Sequence, residues 1–180
     1  MSTTSRCWTK TAPGVLKQTA LDLAVGDADL ALLSKAQADA PLRRARLCAH
    51  LDDDVQLQQM IISLNGESYI RPHKHTAKPE SYQIVRGEAA LVLFADDGTV
   101  AEIVHLTPPG KGGNFFSRLS SETYHSLVLI SPEVVFCETT LGPFRRDATH
   151  FAPWAPAPDS PDCASYMSAL KKTIIERLRI

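Results

Sequence analysis

Between residues 42 and 141 the chain is cut by turn signals so often that it has room only for short strands. Arg44, Arg46, Cys48 and His50 alternate with Ala45, Leu47, Ala49 and Leu51, the period-2 signature of a strand. An acidic turn at residues 52–54 leads to a second strand over 57–64, and Asn65-Gly66 is a strong turn signal. Segments 67–73, 81–86 and 89–95 read as further strands, and 99–106 pairs back across Asp97-Gly98. The Pro108–Gly113 region breaks the pattern, which resumes over 114–119, 125–130 and 133–140. Many short strands at this spacing predict a mainly β chain, a sandwich or barrel closed on itself, and hence a jelly roll.

Helices are expected only at the two flanks. Asp27 or Asp29 can cap a helix through Leu30, Leu33, Ala36 and Ala40, stopped by Pro41. Near the other end, Ser160-Pro161-Asp162 precedes Tyr166, Leu170, Ile174 and Leu178, a four-residue repeat of an amphipathic helix. Residues 1–14 have no convincing period. Residues 141–161 hold five prolines and read as an extended arm pinned by Phe144, Phe151 and Trp154. The expected organisation is a lead-in (1–24), a β-barrel domain with its leading helix (25–140), the arm (141–161) and a C-terminal helix (162–180).

Composition narrows the function. The formal net charge is −1 with no long basic run, so nucleic acid is not expected as a partner. No run approaches the ~20 apolar residues of a membrane span, and the first ten residues lack a signal-peptide core. Cys7, Cys48, Cys137 and Cys163 are too widely spaced for a disulfide framework. A reducing cytoplasm is the expected location. No dinucleotide fingerprint, P-loop, Gly-x-Ser-x-Gly or His-Glu-x-x-His occurs.

Chemistry concentrates between Gly66 and Gly87. His73 and His75, one residue apart, leave the same face of a strand, and a turn at 76–79 would bring Glu80 back beside them. Two imidazoles and a carboxylate suit a divalent ion: Zn, Fe, Mn, Ni or Cu. A further ligand should come from another strand. His125, at the start of an apolar strand and facing inward with Leu127 and Leu129, is the favoured candidate. Alternation places Tyr69 and Arg71 with the histidines and Tyr82 with Glu80, as candidate catalytic or pocket-lining groups. Arginine there would suit a carboxylate or phosphate. Cys48 and His50 share a face. Glu138 could orient a ligand histidine or form an ordinary salt bridge.

The stretch Gly66–Gly87 resembles the first motif of the cupin superfamily, G(x)5–6HxH(x)3–4E(x)6G, and His125 falls where the second motif supplies its histidine. The Pro-x-Gly that normally precedes that histidine is replaced here by Ser120 and Glu122, and a later Asn by Leu129. More specifically, the chain is similar to WbuC-type cupin-fold metalloproteins. The similarity runs through Arg44 to His50, the PHKH run, Asp96-Asp97-Gly98, Tyr124-His125, Glu138 with Gly142-Pro143-Phe144, and Phe151 to Pro156. Where relatives tend to have Asn, this chain has Cys48.

The resemblance implies a double-stranded β-helix and a His73/His75/Glu80/His125 metal site. It implies little about the reaction, although members are often found with O-antigen or polysaccharide genes. Two readings follow: a metal-dependent enzyme, an oxygenase or isomerase, acting on a small sugar-derived or carboxylate substrate, or a non-catalytic module binding metal and a sugar or acid. A homodimer is expected by analogy.

Overall fold

The structure, a computed structural model, describes residues 8–66, 68–120 and 122–180. Cys7 and the rest of the first seven residues lie outside it. Its strands are β1 (Trp8–Ala12), β2 (Val15–Gln18), β3 (Arg44–Cys48), β4 (Leu57–Asn65), β5 (His73–His75) and β6 (Glu80–Arg86), followed by β7 (Ala89–Phe94), β8 (Val100–Leu106), β9 (Phe116–Leu119), β10 (Tyr124–Leu129), β11 (Glu133–Leu141) and β12 (Thr149–Phe151). Two helices flank them, α1 (Asp27–Ala38) and α2 (Cys163–Leu178).

These strands form a seven-stranded sheet, β1-β2-β3-β4-β11-β6-β9, facing a five-stranded sheet, β12-β5-β10-β7-β8. From β4 onward the chain winds between the two: β4 in the large sheet, β5 in the small, β6 in the large, β7 and β8 in the small, then β9, β10 and β11 in alternation. That winding is the double-stranded β-helix, or jelly roll. The expected closed barrel is not formed among the described residues, because the sheets end separately on β1 and β9 and on β12 and β8.

The period-2 pattern is what divides the core. In β11, Val134 and Phe136 point between the sheets to meet Ile84 of β6, Leu91 of β7 and Leu127 of β10. Val135 points the other way, where Leu47 and Ile61 meet Leu33 of α1. On the outer face of the small sheet, Ala90, Val92 and Val128 receive Leu170 and Ile174 of α2. Burying each large aliphatic side chain contributes about 1.5–3 kcal/mol, so both helices are held by packing. Gly87, between β6 and β7, has φ +77°, and a Cβ there would sit 2.1 Å from the Glu133 carbonyl oxygen. Only glycine fits the turn.

Local structure departs from the sequence reading in four places. The supposed lead-in contains the β1–β2 hairpin, and β2 pairs in parallel with β3. Most of β1 is exposed, so it shows no hydrophobic period. Trp8 anchors it, donating Nε1–H to Asp29 Oδ1 at 2.7 Å. The N-cap of α1 is Gly26 rather than an aspartate, and Asp29 reaches back to accept the Gly26 N–H at 2.9 Å. The strand expected over 67–73 shrinks to β5. Residues 68–72 are irregular because the chain changes sheets there and Pro72 has no N–H for a ladder. Finally, the proline-rich arm supplies a strand. Its proline-free triplet Thr149-His150-Phe151 pairs with β5 as an edge strand.

Candidate metal centre

The two histidines of β5 and Glu80 of β6 are not joined by a hairpin. β5 pairs with β10 and β12, whereas β6 pairs with β11 and β9. Residues 76–79, with Ala77 at φ +52°, carry the chain from one sheet to the other. Glu80 therefore faces the histidines across the interior of the sandwich. On the small sheet, His125 stands directly opposite His73, their rings 4.5 Å apart. His73, His75 and His125 each offer a ligand nitrogen, and these atoms lie within 4.8 Å of one another.

Each imidazole is oriented through Nδ1. His73 Nδ1–H donates to the Arg71 carbonyl at 2.9 Å, His125 Nδ1–H donates to the Thr123 carbonyl at 2.9 Å, and His75 Nδ1 is hydrogen-bonded with the Thr149 hydroxyl at 3.1 Å. With Nδ1 carrying the proton, the Nε2 atoms of His73 and His125 present lone pairs to the interior. His75 Nε2 lies 3.1 Å from Glu80 Oε1, and His125 Nε2 lies 3.1 Å from Glu80 Oε2. His125 Nε2 is nevertheless buried and makes no hydrogen bond among the described residues. A lone pair and a carboxylate oxygen facing each other in a dry site are both acceptors, and a cation between them satisfies both. The donor set thus fits a divalent ion with nitrogen bonds of about 2.0–2.1 Å.

Electrostatics follow the geometry. Burial, then neighbouring His125, lowers the pKa of His73 to about 4, keeping it neutral and available. Burial and the nearby Glu80 charge push Tyr82 far up, so its O–H stays protonated and donates to Glu80 Oε2 at 2.9 Å.

The remaining expected site residues separate. Tyr82 is at the centre, buried beside His125. Tyr69 and Arg71 are drawn into the arm, because residues 68–72 are not a strand and alternation does not apply to them. The Tyr69 hydroxyl donates to the Pro156 carbonyl at 3.0 Å and its ring meets Tyr166 of α2. The Arg71 guanidinium donates to the Ala152 carbonyl at 3.1 Å and lies over Phe151. Only its backbone carbonyl serves the centre. His50 is bound to β4, with Nδ1 3.0 Å from the Gln59 carbonyl. His105 pairs with Glu88 at 3.0 Å, and His150 with Thr76 at 2.8 Å.

Two features were not legible from spacing. Thr149, about seventy residues downstream of His75, reaches it through the β12–β5 register. Thr149→Val is expected to weaken divalent-ion binding about tenfold, with Thr149→Ser restoring it, measured by competition with a chromogenic chelator. The second is Glu122, which takes φ +74° where the resembled motif has glycine, while its N–H donates to the His75 carbonyl at 2.9 Å. The turn before His125 is thus kept at a cost. Glu122→Gly should raise stability by about 0.5–1 kcal/mol in urea unfolding.

Residues 25–106 match a family described as a domain of unknown function, DUF6016. Comparison with curated protein sequences found no match. Among solved structures the chain is similar to protein SO0799 from Shewanella oneidensis, at 11% identity over 67% of this chain and 73% of that one, with TM-score 0.47. It is similar to KdgF from Halomonas sp., at 17% identity over 78% and 90%, with TM-score 0.44. An uncharacterized conserved protein with a double-stranded beta-helix domain from Klebsiella pneumoniae matches at 12% identity over 59% and 79%, with TM-score 0.45. At these identities none of the three assigns an activity to this chain.

Proposed function

We propose that this chain is a cupin-type metalloprotein that binds a divalent ion through His73, His75, His125 and Glu80 and uses it to engage a small molecule. The observation that carries the reading is the orphaned Nε2 of buried His125 opposite a carboxylate oxygen, with all three Nδ1 atoms tied elsewhere. When bound, such an ion supplies Lewis-acid or redox chemistry. Three nitrogens and one oxygen leave room on a six-coordinate ion for water and a ligand atom.

The protein's own groups set the conditions. Tyr82 spends its hydroxyl on Glu80, so its role is to hold the carboxylate in place rather than to supply protons to a substrate. The backbone carbonyls of Arg71 and Thr123 fix the tautomers of His73 and His125, and the Thr149 hydroxyl orients His75. The sequence resemblance extends the proposal to a WbuC-type protein, cytoplasmic and homodimeric, serving polysaccharide or O-antigen assembly. No helix among the described residues is long and apolar enough to cross a membrane.

Elemental analysis of protein purified without a chelating tag tests the reading. About one divalent ion per chain is expected, removable by a chelator at low pH as the histidines protonate. Protein that neither carries nor takes up a divalent ion would overturn it.

A further inference from the structure

The large sheet extends beyond the small one, seven strands against five, and the uncovered part of its inner face carries an unexpected pair of cations. Register identifies the face. Arg46 of β3 stands opposite Ile62 of β4, which stands opposite Phe136 of β11, which stands opposite Ile84 of β6. Ile62, Phe136 and Ile84 all belong to the core between the sheets. Arg46 is therefore an inward-facing residue, yet it is exposed, and so is Arg44 two positions earlier on the same face. Their neighbours Ala45 and Leu47 point outward and are buried under α1. The sandwich must be open at this end.

The next row across the same face is Cys48, Met60, Glu138 and Tyr82. It runs from the arginines to the tyrosine that holds Glu80. Glu138 senses the charges of both Arg46 and Glu80, which places it between the two groups. No ion pair involving Arg44 or Arg46 occurs among the described residues. The Cys48 thiol beside Arg46 offers no charge. Arg44 is lowered by partial burial and by the charge of Arg46, so the two guanidinium groups repel each other in a semi-enclosed space. Two unpaired like charges on one strand face are unfavourable until an anion joins them, and guanidinium forks match phosphate and carboxylate oxygens.

We propose that Arg44 and Arg46 form an anion-binding subsite at the open end of the sandwich, docking a phosphate or carboxylate of the small molecule that reaches the histidine cluster. The second half of that statement rests on the metal reading; the anion subsite itself does not. β3 and β6 are three strand spacings apart, about 14 Å, so the ligand separates its anionic end from its metal-directed end by on the order of 10 Å.

Titration of the metal-loaded full chain with inorganic phosphate, and separately with acetate, followed by the arginine Nε–H resonances in NMR, tests the subsite. Saturable phosphate binding is expected that perturbs two arginine side chains. Arg44→Gln/Arg46→Gln should weaken it at least about tenfold with metal content unchanged, and Arg46→Lys by less. Arg145→Gln/Arg146→Gln should leave it alone. A response to phosphate alone assigns the subsite to phosphate, and a response to both to anions generally. His73→Ala should lose metal and keep phosphate binding, which separates failure of the metal reading from failure of this one. Phosphate affinity unchanged in Arg44→Gln/Arg46→Gln, lost in His73→Ala, or absent at millimolar concentrations would each overturn the subsite.

Discussion

His125→Ala is expected to abolish stoichiometric metal binding while leaving a folded protein. His125 is the ligand proposed from β10; it pairs in register with His73 of β5, and its buried Nε2 makes no hydrogen bond among the described residues. Structural divalent sites bind with about 10–16 kcal/mol shared over four ligands, so one ligand is worth about 3 kcal/mol, roughly a hundredfold in affinity. The fold should survive. The β10–β7 ladder runs over six residue pairs and does not depend on the imidazole, and the variant removes a buried unsatisfied atom from the metal-free state. Elemental analysis and thermal unfolding of the metal-free forms check both halves. Undiminished metal content would place the ion elsewhere. Collapse of the metal-free variant would make His125 a packing residue instead.

A second large effect concerns pH. Burial, then the nearby Glu80 charge, raises the Glu138 pKa to about 8 against the weaker opposing pull of Arg46 and Lys78. The unfolded chain releases this proton near pH 4.3. Between those values the folded state holds a proton that the unfolded state has lost, so stability falls as pH rises. Its contribution is fully present below about pH 4 and gone above about pH 8. Glu138 is half-buried rather than sealed, and solvent screening reduces the effect to about 2 kcal/mol. Glu138→Gln, unable to ionise, should match the parent at about pH 4 or below and exceed it by that amount at about pH 8.5. Urea unfolding of the metal-free proteins across this range reads the difference directly, and parallel profiles would show that Glu138 titrates normally. Metal-free protein is required because a divalent ion would draw the Glu138 pKa down.

The histidine cluster was legible in local spacing. His73 and His75 had to share a strand face, since side chains repeat every two residues, and β5 bears this out. His125 was singled out because an inward histidine on an apolar strand needs a polar partner, and the structure sets it beside the other two. Gly87 and the Asp97-Gly98 turn likewise followed from backbone sterics, each with positive φ. The short strands, the two flanking helices and the jelly roll came from the same local periodicities.

Long-range pairing decided the rest. Tyr69 and Arg71 have the alternation of a strand, but Pro72 and the crossing between sheets removed the ladder, and the arm captured both side chains. Nothing near Thr149 in the sequence indicates a bond to His75; only the β12–β5 register creates it. Arg46 reads as one residue of an ordinary alternating strand. That its inward face meets solvent instead of a core depends on one sheet being wider than the other. Period and turn chemistry are properties of a few neighbouring residues, so the sequence by itself determined the strands, the turns and the histidine face. Which sheet covers which residue is settled only when distant strands compete for the same partners, and that left the Thr149 contact to His75, the course of the arm and the exposed arginines of β3 to the tertiary structure.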